Sequence, residues 1–324
     1  MNKNLERLYL AGNKHSRLIL GLMSGTSFDG LDLALCRITG SGLDTQVELV
    51  HFTTVSYTIQ FKESLKSIFS RRDADLEMVC LLNSRVALEH ARIINNTLAG
   101  WNIINEDVDL VASHGQTIYH APAFLNCHPE YGNATLQIGD GDHIAVHTGI
   151  ITISDFRQKH VAAGGEGAPL AVYGDYLVFS KKGENRIMLN IGGIANFTFL
   201  PGDLDAANVF STDVGPGNTI MDALVQAIHP GKYFDENAAI ARQGKIHPAL
   251  LGALKADSFF AGAFPKTIGP ELFNMKYLQK AMQISNAGTI PVEDQMATLN
   301  RFSADMIVDA IQRTGKKNEP FTIY

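Results

Sequence analysis

The strongest constraint on how this chain folds is a strand, glycine turn, strand unit that occurs once in each half. In the first copy, the apolar run at residues 17–23 is followed by Ser24-Gly25-Thr26-Ser27-Phe28-Asp29-Gly30. Residues 31–38 then alternate as L-D-L-A-L-C-R-I, the period-two pattern of a half-buried strand. In the second copy, residues 187–191 and 195–200 flank the turn G-G-I. A chain carrying two such units is expected to place one hairpin in each of two α/β lobes. A third strand at residues 47–57 extends the first hairpin into an antiparallel meander.

The remaining pattern alternates helices with short strands. Helices are expected at residues 59–69, 75–100, 219–229, 236–256 (with a break at Gly244), 270–282 and 292–313. Short strands at 108–112 and 135–138 each run into a glycine turn, S-H-G-Q-T and G-D-G-D. The strand at 150–154 stops at Asp155, and A-A-G-G-E-G-A-P-L opens a further helix. The chain ends on F-T-I-Y, a short strand whose edge calls for cover. At 324 residues the chain exceeds what one core usually supports. The expected division is 1–150 and 151–324.

Composition narrows the function. The net charge is −6 with 27 basic residues and no run of five, so the footprint of nucleic-acid binding is missing. No apolar stretch approaches the ~20 residues of a spanning helix, and the polar N-terminus does not read as a signal peptide. The expectation is a cytoplasmic protein without nucleic-acid or membrane partners. Cys36, Cys80 and Cys127 are widely spaced and odd in number, which argues against disulfides or a zinc site; Cys36 and Cys80 read as buried thiols. His143 and His147 stand four apart without a third ligand and read as ordinary helix residues, and Phe259, Phe260, Phe264 and Phe273 read as packing.

Three glycine turns could carry chemistry. In the first, backbone N–H groups and hydroxyls from Gly25 to Gly30 suit phosphate oxygens, and Asp29 suits a hydrated Mg²⁺. The same residues also fit a tight turn that satisfies its own backbone. The second is Asn190-Ile191-Gly192-Gly193-Ile194-Ala195-Asn196. The third, Asp213-Val214-Gly215-Pro216-Gly217-Asn218, enters a helix whose first N–H groups are expected to be open to an anion. Together the turns suggest a nucleotide held in a cleft between the lobes. No P-loop, G-x-G-x-x-G or G-x-S-x-G sequence is present. Asp155 stands where α/β sheets bind ligands, past the carboxyl end of a strand, and equally where a helix takes an N-cap.

Six segments in order carry a more specific signal: M-S-G-T-S-F-D-G-L-D (from Met23), S-H-G-Q-T-I-Y-H (from Ser113), Q-I-G-D (from Gln137), D-F-R with G-G-E-G-A-P-L (from Asp155), L-N-I-G-G-I-A-N (from Leu189) and D-V-G-P-G-N (from Asp213). In these the chain resembles the anhydro-N-acetylmuramic acid kinase family, within the acetate and sugar kinase, heat-shock chaperone and actin superfamily. The resemblance runs from about residue 17 onward.

The resemblance implies a two-lobed actin-like ATPase (ribonuclease H-like) fold, ATP with Mg²⁺, and a small anhydro-amino sugar as substrate. The implied reaction hydrolyses the anhydro bond and phosphorylates O6 to give N-acetylmuramic acid 6-phosphate, in bacterial cell-wall recycling. It makes Asp155 the catalytic base. ATP contacts fall to Gly25, Thr26, Ser27, Phe28, Asp29, Gly30, Leu31, Asp32, Asn190, Gly192, Gly193, Asn196, Asp213, Gly215, Gly217 and Asn218. Sugar contacts fall to His114, Gln116, His120 and Arg157, and family grounds suggest a homodimer.

Where the family usually has Asp and Gln, this chain has His160 and Glu166. The family also continues past a strand like F-T-I-Y into a G-G-G turn and helix on the adenosine side. The rival readings are a non-catalytic sugar- or partner-binding homologue that lacks that segment, and a sugar kinase in which Asp155 deprotonates a hydroxyl directly.

Overall fold

A computed structural model describes residues 3–123, 126, 128, 130–268, 272–314 and 320–324. They fold as two compact units, Met1–Leu170 and Ala171–Tyr324. Cys127 lies outside the described residues.

The first unit runs α1 (Lys3–Asn13), β1 (Ser16–Ser24), β2 (Gly30–Thr39), β3 (Gln46–Ser56), α2 (Ile59–Ile68), α3 (Leu76–Gly100), β4 (Leu110–Ala121), β5 (Ala134–Ile138), α4 (Gly141–Thr148), β6 (Thr152–Ser154) and α5 (Phe156–Ala162). Its six-stranded sheet has the order β3-β2-β1-β4-β5, with β6 also paired to β4. The expected meander is present: β1 and β3 both pair antiparallel with β2. Alternate residues Leu31, Leu33 and Leu35 are fully buried and join Leu65, Ile94 and Leu98 in one core. This is the pleat turning one face of a strand onto helices.

The second unit runs α6 (Ala171–Phe179), β7 (Asn185–Ile191), β8 (Ile194–Leu200), β9 (Phe210–Pro216), α7 (Thr219–Ile228), α8 (Pro248–Lys255), α9 (Ser258–Ala261), α10 (Met275–Ile284), α11 (Val292–Thr314) and β10 (Phe321–Ile323). Its sheet order is β10-β7-β8-β9. The two hairpins therefore sit in equivalent surroundings. In each unit a three-strand antiparallel meander carries, on the outer side of its first strand, one parallel neighbour, β4 on β1 and β10 on β7.

Several elements differ from expectation. S-H-G-Q-T is no turn but the middle of β4: Gly115 takes a left-handed φ of 73°, and a Cβ there would stand 2.7 Å from the Ile138 carbonyl oxygen. The glycine absorbs a kink while the strand continues along β5. The segment 151–170 packs with the first unit, because β6 pairs in parallel with β4. The expected helix 236–256 is α-helical only as α8, with short 3₁₀ turns at Glu236–Ala238 and Ala241–Gln243 before it. Asn237 and Ala238 are left-handed, and Asp235 instead accepts the N–H groups of Ile240 and Ala241. Asn274 caps α10, which starts at Met275 rather than at residue 270; residues 269–271 are outside the described set. The polar N-terminus forms α1. Cys36 is half-buried and Cys80 exposed, not the buried pair expected, because Cys80 falls on the solvent side of α3. Phe260 and Phe273 pack in one core cluster with Phe259, whereas Phe264 belongs to a second.

Candidate active site

In the first unit three strands run in parallel, β1, β4 and β6, with Leu22 opposite Ser113 and Ser113 opposite Ser154. β1 and β6 end at this level, at the turn at Gly25 and at Asp155, and β4 kinks between them at His114–Gly115 before it continues along β5. This is the end at which α/β sheets present ligand sites. The topology brings these sequence-distant candidates together.

Asp155 occupies the first position before α5 but does not cap it: its side chain makes no capping bond, and its backbone is left-handed at φ 61°, ψ 41°. Non-glycine residues pay for that conformation, Asp and Asn less than others. Partial burial holds its carboxyl above the usual carboxylate range. Among the described residues no side chain or amide bonds to that carboxylate. An unpartnered carboxylate on strained backbone has the character of a functional group.

Two residues on, Arg157 is fixed by its Nε donating to His114 Nε2 at 2.8 Å and its Nη1 donating to the Gly167 carbonyl at 2.6 Å. His114 Nδ1 faces the Gly115 carbonyl at 2.9 Å. A carbonyl only accepts and a guanidinium only donates, so His114 is neutral with its proton on Nδ1. Burial, and then the Arg157 charge, keep it so. His114 is thus a strut for Arg157, while Nη2 of Arg157 has no partner among the described residues. His120 lies further along β4, exposed, within the fields of Arg157 and Glu166. His160 accepts the Gly167 N–H on Nδ1, which ties α5 to the loop that holds Arg157.

The first turn is pinned from below. Phe28, at φ 57°, buries its ring edge-on to Phe69, and Leu31 is fully buried. Those two side chains belong to the core, which leaves only their backbone for a ligand. Thr26, Ser27 and Asp29 are exposed, with Ser27 Oγ donating to Asp29 at 2.6 Å. The second Asp29 oxygen has no partner among the described residues. Gly30 is required by packing, since a Cβ would stand 2.4 Å from the Val55 carbonyl oxygen. Asp32 accepts from Thr54. Gln116 is fully buried, its amide nitrogen on the Gly25 carbonyl at 3.2 Å; it braces the turn and does not face solvent.

In the second unit the two glycine turns are laced together. The Gly192 carbonyl accepts from Asn218 N–H, and the Gly193 carbonyl accepts from the N–H groups of Gly217 and Thr219. The entrance to α7, expected to offer free N–H groups, has spent these three on the hairpin. Ser303 on α11 donates to the Gly217 carbonyl from below. Asn190 and Asn196 face each other across the hairpin, and Gly215 leaves room for the ring of Phe260.

Asp213 on β9 accepts the Ile268 N–H at 2.8 Å, and burial raises its pKa to about 6 despite that bond. A folded pKa above the unfolded value of ~3.9 means that ionisation opposes folding. Stability is fully present below about pH 4 and lost as pH rises through 6. Asp213→Asn keeps the acceptor for Ile268. It is expected to raise the melting temperature at pH 8 and leave it unchanged at pH 4, as thermal denaturation at the two values will show.

Sequence reasoning missed Tyr57, His90 and Ser303. The available signal was a lone His90 within the apolar stripe Val86, Ala87, Ala91 and Ile94 of α3. Among the described residues there is no cluster of three His, Cys, Asp or Glu side chains able to hold a metal, and no helix long and apolar enough to cross a membrane.

A family model described as anhydro-N-acetylmuramic acid kinase matches residues 17–323. A protein of that name from Pseudoalteromonas atlantica is 57% identical over 324 residues, all of this chain and 81% of its own length. One from Pseudoalteromonas translucida is 52% identical over the same spans. One from Caldanaerobacter subterraneus subsp. tengcongensis is 37% identical over 310 residues, 95% of this chain and 78% of its own.

Proposed function

Because this chain belongs to the anhydro-N-acetylmuramic acid kinase family, we propose that Asp155 is the base that activates water in a coupled hydrolysis and phosphorylation of 1,6-anhydro-N-acetylmuramic acid. The chain is a kinase acting on a small sugar, with ATP as phosphate donor. One observation carries the assignment of Asp155. Its carboxylate is without a partner among the described residues, raised in pKa by burial and set at the carboxyl end of parallel strands.

Asp155 takes a proton from water as that water attacks the anomeric carbon. The bond from this carbon to O6 breaks, and O6 accepts the γ-phosphoryl group of ATP, leaving ADP. One water is consumed, and its oxygen remains on the anomeric carbon. The chemistry follows an inverting glycosidase, with phosphorus in place of the acid that would protonate the leaving oxygen. Arg157, held rigid by His114 and Gly167, offers Nη2, which has no partner among the described residues, to the sugar's lactyl carboxylate, with His120 within reach of its field.

We assign nucleotide-phosphate contacts to the turns at Gly25–Gly30 and Gly192–Asn196, and to the strand-to-helix loop holding Asp213 and Gly217. Asp29 fits Mg²⁺ through water, because one oxygen of its exposed carboxylate has no partner among the described residues, and Mg²⁺ retains waters and binds phosphates beside one or two carboxylates. The ion supplies neutralisation of charge on the transferred phosphoryl group. The actin-like reading of the two units is supported by the order β3-β2-β1-β4-β6, an antiparallel meander followed by parallel strands. The β9-β8-β7-β10 sheet repeats its first four places. A homodimer and a cytoplasmic location belong to the same proposal.

The test is ATP consumption with the anhydro sugar in ¹⁸O-labelled water, read by mass spectrometry. The expected product carries label at the anomeric oxygen and phosphate on O6. ATP-dependent phosphorylation without label would remove water activation from the reaction.

A further inference from the structure

Beneath the first turn lies a row of polar side chains sealed in the core. His90 Nε2 is 2.8 Å from Tyr57 Oη, which is 2.8 Å from Ser24 Oγ, which is 2.6 Å from Gln116 Oε1. All but Tyr57, itself buried at 5% exposure, are 2% exposed or less. Gln116 Nε2 then reaches the carbonyls of Gly25 at 3.2 Å and Thr117 at 3.3 Å.

The direction of every bond in this row can be deduced. Two carbonyls face one end of the Gln116 amide, so that end is the NH₂ and the other is the acceptor oxygen. Ser24 must spend its proton on that oxygen, so it accepts from Tyr57. Tyr57 has then spent its own proton and accepts from His90, which fixes the His90 proton on Nε2. His90 Nδ1 is left as a bare acceptor, and it is buried without a partner among the described residues. Protonating it would create a buried donor with nothing to meet, in keeping with burial lowering the His90 pKa to about 4. The row is a one-way chain of donors that begins on α3 and ends on the Gly25 carbonyl. Such chains strengthen along their length and penalise any missing link.

We propose that His90, Tyr57 and Gln116 are positioning residues that hold the Gly25 carbonyl inward and so keep the first turn in its phosphate-binding shape. This rests on the reading of that turn as a nucleotide site. The chain sets the affinity for nucleotide from a distance, without touching nucleotide or sugar.

Three variants test it. Tyr57→Phe removes one oxygen and cuts the chain. The KM for ATP is expected to rise about tenfold, the cost of a broken buried hydrogen bond. The KM for the sugar is expected to stay within about twofold. Gln116→Glu places a buried carboxylate against two carbonyls, whereas its protonated form restores the acceptor for Ser24 and one donor, for the Gly25 carbonyl. Its ADP dissociation constant, taken as a ratio to the unsubstituted protein at each pH to cancel the nucleotide's own titration, is expected to approach one as pH falls. A merely structural defect would leave that ratio flat.

Gly25→Ala tests the underlying reading. Among the described residues its Cβ meets only Ser27, at 3.5 Å, so weakened ADP binding reports a ligand lying against the turn. Unchanged binding by Gly25→Ala overturns both readings. Weakened binding there, with Tyr57→Phe normal for ATP and a flat Gln116→Glu ratio, overturns the positioning chain alone. If Gln116→Glu does not accumulate as folded protein, Tyr57→Phe decides.

Discussion

Replacing Asp155 by Asn is expected to lower sugar-dependent ATP turnover by about a thousandfold or more, with the KM for ATP essentially unchanged. The magnitude is at the upper end of what a positioned general base contributes. Asn is the informative substitution because the backbone at Asp155 is left-handed, a conformation that Asn adopts as readily as Asp and that Ala would strain. The variant keeps the shape of the strand-to-helix corner and removes only the proton acceptor, so a thermal melt matching the parent separates chemistry from folding. The same carboxyl sets the acid limb of the pH profile. Burial raises its pKa, and the base works only when ionised. Turnover is therefore expected to fall as pH drops toward a midpoint above that of an ordinary aspartate. Near-normal turnover by the Asn variant would transfer the role to another group.

How much of this was legible in the sequence depends on whether a residue's role is set by its neighbours in the chain or by its neighbours in space. The two hairpins were readable because period-two alternation and glycine turns are local signals, and residues 31–38 match β2 to within a residue at each end. The kink at Gly115 is not legible, because a glycine that bulges a strand and one that ends it look alike in sequence. Only the approach of the Ile138 carbonyl distinguishes them. The same limit explains Phe28, Leu31 and Gln116. Each falls inside a motif that suggests ligand contact, yet packing turns the first two side chains into the core and commits the third to Ser24 and Gly25. The α7 entrance reads as open because a helix start always has spare N–H groups in one dimension. That the Gly192 and Gly193 carbonyls take three of the entrance's N–H groups is a fact of tertiary structure. For Asp155, position leaves a ligand group and an N-cap equally open and the family resemblance favours the base; its left-handed backbone and missing cap are not legible in D-F-R.

The lacing of the two turns in the second unit leads to the other large effect, at Gly217. A Cβ there would stand 2.2 Å from the Gly192 carbonyl oxygen and 3.4 Å from the Ala195 nitrogen, both backbone atoms that cannot swing away. Gly217→Ala must therefore pry the α7 entrance off the hairpin, straining the bonds from Gly217, Asn218 and Thr219. The expected cost is about 2 kcal/mol, typical of overpacking, or a melting temperature lower by about 5 °C for a unit of this size. Gly252→Ala is the control. It lies within α8 with nothing within 4 Å of its would-be Cβ, and Ala in a helix is favoured over Gly by about 0.5–1 kcal/mol. Its melt is expected to rise. If the laced turns hold nucleotide phosphate, Gly217→Ala also raises the KM for ATP, measured well below its melting temperature, while Gly252→Ala leaves it alone. A lower melt with an unchanged KM would make the lacing purely structural and move the nucleotide contacts off these glycines.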